Sequence, residues 1–147
     1  MRLTAVGAAL LAAYTFVGAR APAPQRRAIN PPGSVEGLPF SNGILAGNTL
    51  FVAGQEGLVD GKLATGGIGP ETRAALENIQ RIVKAAGLDM KDVASVTVFL
   101  ADVHEFPDMN KVYQTYFPDP KPARATVQAA ALVGGARIEI SAIAVKE

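Results

Sequence analysis

Residues 121–147 read KPARATVQAAALVGGARIEISAIAVKE, two apolar runs (Ala125 to Val133 and Ile138 to Val145) with the Gly134–Gly135 pair as a turn between them. Both runs predict buried strands. Arg124 opens the first and Glu139 sits inside the second. A charge within an apolar strand costs free energy unless it is paired or used. Two readings satisfy that condition. One is an internal salt bridge. The other is an anion-binding site, in which the guanidinium grips a carboxylate as a planar fork and the glutamate handles water or protons.

The chain around this stretch has 147 residues, enough for one domain whose core stands without staples. Hydrophobic residues make up 49% and cysteine is absent, which excludes disulfides, thiolate metal sites and a cysteine nucleophile. A single histidine argues against a histidine-rich metal centre. The formal charge of +1 conceals an asymmetry, because all 13 acidic residues lie at or after Glu36, while Arg2, Arg20, Arg26 and Arg27 precede it. From Glu36 onward ten basic residues face thirteen acidic ones, a balance of −3. Such a domain is a poor electrostatic match for nucleic acid.

Residues 1–33 differ from the rest. Arg2 precedes an apolar run from Leu3 to Ala19, followed by the Pro/Arg-rich stretch RAPAPQRRAINPPG. Residues 1–19 read as a signal peptide, with Val17 and Ala19 as the small residues before the cut, and residues 20–36 as an extended linker. A periplasmic or secreted location follows. The run falls short of the roughly 20 apolar residues that span a bilayer comfortably, so membrane attachment is expected only if the segment stays uncleaved. An organellar transit peptide, or a misassigned start and a cytoplasmic protein, are the other readings.

The folded domain is expected over residues 37–147. Gly43–Ala46 and Thr49–Ala53 form a hairpin across Gly47–Asn48, and Gly54 ends the second strand. Asp60–Gly61 marks a second, smaller hairpin. Pro70 to Ala86 is a helix: proline suits its first turn, Glu71 its positive end, Ala75, Ile79, Ile82 and Ala86 line one face, and Gly87 stops it. Its charged residues read as a solvated face, Glu77 pairing with Arg81. Val93 to Leu100 alternates as a strand, Asp102 is a candidate cap, and a second helix runs from about Glu105 to Tyr116. His104, without a serine or cysteine partner motif, reads as a surface or capping residue. The whole is an α+β fold, a sheet with two helices on one face. The other face is left apolar, and oligomerisation through it is expected.

The stretches PFSNGILAGNTLFVAGQ, TRAALENIQRIVKAAG, VASVTVFLADVHEFPDMNKVYQTYF, PARATVQAAAL and RIEISAIAV resemble the reactive-intermediate deaminases, the Rid or YjgF-type family, over nearly all of residues 37–146. Most specific is PAR followed some fifteen residues later by the RIEI strand. The resemblance implies a chorismate-mutase-like sheet assembled as a homotrimer with clefts between subunits. The implied activity is hydrolysis of small 2-imino acids to 2-oxo acids and ammonia, with no metal or organic cofactor. Arg124 matches the arginine that grips the substrate carboxylate, with backbone contacts through Ala125 and Thr126. Glu139 matches the glutamate that positions water. Gly54 and Gln55 match the cleft-wall loop, and Asn110 a polar position on the second helix. Phe40 stands where many members have tyrosine, Ala53 where many have serine, and Ser141 where a second glutamate is common. Two rival classes accompany this reading: a carboxylate-binding module without turnover on the same cleft, and a nucleic-acid-directed role, which the acidic balance opposes.

Overall fold

A computed structural model describes residues 25–146. The signal peptide read over residues 1–19, and linker residues 20–24, lie outside the described residues. Eight strands and two helices follow in order: β1 (Arg26–Ile29), β2 (Gly43–Ala46), β3 (Thr49–Glu56), β4 (Leu58–Val59), β5 (Lys62–Leu63), α1 (Ile68–Ala85), β6 (Val93–Leu100), α2 (Phe106–Tyr113), β7 (Ala123–Gln128) and β8 (Ile138–Val145).

Local signals decide most of these elements. The β2–β3 hairpin closes at Gly47–Asn48 with Gly47 at positive φ, and the β4–β5 hairpin at Asp60–Gly61 with both residues at positive φ, as two-residue hairpin turns require. Pro70 sits in the first turn of α1, which starts two residues before it, and α2 is preceded by a short 3-10 turn whose Asp102 carboxylate accepts from the His104 N–H. His104 itself is exposed. Glu77 and Arg81 do not pair: Arg81 donates to Asn78 Oδ1 at 2.6 Å, and Glu77 accepts from the Tyr116 hydroxyl at 3.3 Å.

Three expectations are corrected. The sheet begins inside the stretch read as a linker, because Arg26–Ile29 pairs antiparallel with β2 and Ile29 enters the core. Strand β3 does not stop at Gly54; a register shift between Val52 and Gln55 lets it continue to Glu56. Strand β7 is neither buried nor joined to β8 by a hairpin. The six-stranded sheet has the order β1-β2-β3-β8-β6-β7, so β7 is an edge strand parallel to β6, reached by the α2 crossover, and β8 lies on the far side of β6.

Both helices pack on one face, as predicted. Leu50, Val96, Val98, Ile138 and Ile140 from the sheet meet Leu76, Ile79 and Val83 of α1 and Met109 of α2 in one core. The opposite face carries no helix. Phe51, Val127 and Ile143 project from it, 48%, 48% and 37% exposed. Among the described residues no helix is long and apolar enough to cross a membrane.

Candidate active site

Strand period two settles where each charged residue points. Arg124 is opposite Val96 of β6, a core residue, and so faces the helix layer. Glu139 lies between the fully buried Ile138 and Ile140, and so faces the open side of the sheet. The two therefore project from opposite faces. No ion pair joins them among the described residues, which removes the internal salt bridge.

Arg124 rests on aromatic rings instead. Its guanidinium carbon lies 4.4 Å from the Tyr113 ring centroid and 5.4 Å from that of Phe106, within cation–π range. Phe106, Asn110 and Tyr113 are spaced i, i+4 and i+7 along α2, so the half-buried Asn110 shares the stripe that carries both rings. Thr126, two residues beyond Arg124 on the same face of β7, has a buried hydroxyl without a partner among the described residues, and the buried Tyr113 hydroxyl donates to no acceptor there. Burial pushes the Tyr113 phenol above its ordinary value, while the charge of Arg124 and its approach to the phenol oxygen as a donor pull the other way. Ala125 points to the open side. Among the described residues no carboxylate pairs with Arg124.

Glu139 stands over the β3 bulge. Gly54 lies so close beneath it that an added Cβ would come within 1.9 Å of Oε1. The Gln55 amide donates to the carbonyls of Ala53 and Gly54 at 3.1 and 3.0 Å, bracing the bulge. Glu56 is the direct cross-strand neighbour of Glu139. Its carboxyl is raised by burial first, then by the like charges of Glu139 and Glu71. The buried Glu71 accepts from the Arg137 N–H at 2.8 Å and ties α1 to the start of β8. Arg137 reaches on to Glu105.

Phe40 is remote from Arg124 within one chain. It is 55% exposed in the loop before β2. There it lines a surface cavity of about 460 Å³ with residues 30–38. Strands β2 and β7 stand four steps apart in the sheet, about 19 Å at the usual interstrand spacing.

Sequence reasoning missed Phe106, Tyr113 and Glu56. Tyr113 read as part of an apolar stripe with Met109, Val112 and Tyr116 at helical spacing, and Phe106 carried no reading of its own. Their signal was an aromatic pair seven apart on the helix that leads into the arginine strand.

This arrangement is a helix-backed mixed sheet whose Arg124 has no ion-pair partner among the described residues and whose Glu139 projects from the other face, and the comparisons give its family. The family model described as Endoribonuclease L-PSP matches residues 34–146. The rat protein named 2-iminobutanoate/2-iminopropanoate deaminase is 46% identical over 109 residues, covering 73% of this chain and 80% of that one. The human protein of the same name is 43% identical over 110 residues, covering 74% and 80%. Among solved structures, the YjgF gene product of E. coli aligns with a TM-score of 0.75 at 32% identity, covering 82% and 99%. E. coli TdcF with bound serine aligns at 0.73 and 32%, covering 82% and 97%. The chain belongs to this YjgF/Rid (L-PSP) family, as the resemblance implied.

Proposed function

We propose that this protein hydrolyses 2-imino acids to 2-oxo acids and ammonia in clefts between the subunits of a homotrimer. One observation carries the reading: Arg124 offers a guanidinium that no carboxylate pairs with among the described residues, on an aromatic floor, while Glu139 projects from the other face. A site that uses both needs two copies, with Arg124 of one copy meeting Glu139 of another. The remoteness of Phe40 from Arg124 supports the same sharing. So does the apolar helix-free face, which assembly would cover. Relatives at 43% and 46% identity carry the deaminase name. One structural relative was solved with serine, a carboxylate beside a nitrogen-bearing carbon.

Arg124 holds the substrate carboxylate as a fork, which places the imine carbon. Water adds to that carbon, the C=N electron pair moves to nitrogen, and Glu139 takes the proton that the water loses. General-base help of this kind is worth roughly 10²–10⁴-fold. The proton passes to the nitrogen, the C–N bond breaks, and ammonia leaves as the new hydroxyl gives up its proton to form the 2-oxo acid. Protonated imines are electrophilic already, so no step calls for a strong nucleophile.

The test uses imine generated in situ by an L-amino-acid oxidase. The wild type is expected to accelerate its loss, and Arg124→Ala and Arg124→Lys to abolish the acceleration while remaining folded, since lysine lacks the planar fork. Wild-type turnover by Arg124→Ala would sink the assignment. Refolding Arg124→Ala together with Glu139→Gln then asks about sharing. Mixed assemblies regain activity if a site draws on two copies, and regain none if each chain holds a complete site. Binding of a 2-oxo acid without any turnover would instead mean a carboxylate-binding module.

A further inference from the structure

We infer that Tyr113 is a second substrate-binding residue of the Arg124 site, its ring fixing the plane of the guanidinium and its hydroxyl donating to the carboxylate that Arg124 holds. The inference rests on the proposed carboxylate clamp. Tyr113 is only 6% exposed, yet its hydroxyl donates to no acceptor among the described residues. Buried hydroxyls are ordinarily satisfied, because an unmade bond forfeits the hydration lost on burial. A phenylalanine would fill the same space beside Phe117, whose ring centroid is 4.8 Å away, without that cost. Arg124 can only donate to the phenol oxygen, so the O–H itself still needs an acceptor, and the described residues offer none.

The geometry says which kind. The Tyr113 ring lies closest to the Arg124 guanidinium, at 4.4 Å, and an anion drawn to Arg124 arrives beside the phenol. A carboxylate has about four acceptor positions, more than one guanidinium fork occupies, and a phenol is a neutral donor suited to one of the rest. A phenol is protonated at neutral pH, and burial raises this one further. Thr126 Oγ1, also buried and without a partner among the described residues, lies two residues from Arg124 on the same face of β7 and is a second polar atom left open there.

The experiment compares the wild-type full chain with Tyr113→Phe and Tyr113→Leu. It measures calorimetric binding of 2-oxobutanoate, KM and kcat with imine made in situ, and the melting temperature. Tyr113→Phe keeps the ring and removes only the donor. Its affinity is expected to fall about tenfold, as for a hydrogen bond to a charged group, with kcat within twofold. Its melting temperature should hold or rise, because a buried unpartnered hydroxyl has been removed. A purely structural tyrosine cannot give opposite signs on affinity and stability. Tyr113→Leu, which also loses the platform, should bind more weakly still. Tyr113→Phe binding 2-oxobutanoate as the wild type does would overturn the inference while leaving the clamp standing. A wild type that binds no 2-oxobutanoate and hydrolyses no imine would overturn both.

Discussion

Gly54 lies directly beneath the Glu139 carboxylate, where an added Cβ would stand 1.9 Å from Oε1 and 2.7 Å from Cδ. No side chain fits there unless Glu139 moves. The obstructing atoms are the far end of a half-buried side chain, so the fold can yield where the chemistry cannot. Gly54→Ala is expected to lower kcat about 100-fold, the scale set by misplacing a reacting group by about 1 Å. The melting temperature should change little. Steady-state imine hydrolysis beside a thermal melt checks this; an unchanged kcat would show that turnover does not depend on where Glu139 sits.

Gly57, three residues on, gives the opposite balance. An added Cβ there would lie 2.5 Å from both the Cα and the carbonyl oxygen of Glu71, the backbone of α1. A helix backbone buried against a sheet cannot swing aside. Gly57→Ala should cost about 1–3 kcal/mol, the range for overpacking, through displacement of α1 from β3. Denaturant unfolding reads the loss directly, and a midpoint equal to the wild type would contradict the close approach.

Turn dipeptides and alternating runs act over a few residues, so the β2–β3 hairpin, the small Asp60–Gly61 hairpin, α1, β6 and the strand around Glu139 were legible in the sequence. Strand order was not. Whether Ala123–Gln128 pairs with β8 or with β6 depends on the α2 crossover and on contacts distant in sequence, and nothing local to PARATV encodes it. Its edge position is also why Arg124 is half-buried on a helix rather than sealed between strands. Arg26–Ile29 was hidden because two arginines and one isoleucine show no alternation, although Ile29 completes the core. The bulge at Gly54 concealed the continuation of β3 to Glu56. For the site, Arg124 and Glu139 stood out as charges in apolar runs, whereas Tyr113 looked like any core aromatic until its unpartnered hydroxyl was seen.

Glu56 carries a pH signature. Burial, then Glu139, then Glu71 hold its carboxyl above the ordinary value of 4.5. An acid raised on folding contributes stability that is present below 4.5 and lost as pH rises through its higher folded value. Glu56→Gln has no such loss. Melting temperatures of the two proteins should therefore converge near pH 4 and separate toward pH 7, with the variant the more stable. A gap that stays constant between those values, or that opens on acidification, would contradict the raised carboxyl.

Phe51 and Ile143 face one another across β3 and β8 on the helix-free side of the sheet, both substantially exposed. An apolar pair at the centre of an uncovered sheet face is what an interface between copies would bury. A charge placed there meets water in the single chain but is desolvated in an assembly, so Phe51→Glu should leave the fold intact and the copies apart. Sedimentation velocity is expected to report a trimer for the wild type and a monomer for the variant, with circular dichroism unchanged. Imine hydrolysis should disappear with the assembly, since Arg124 and Glu139 then have no second copy to complete the site. A monomeric Phe51→Glu that retained full turnover would show that one chain suffices. A variant that remained trimeric would place the interface elsewhere on the sheet.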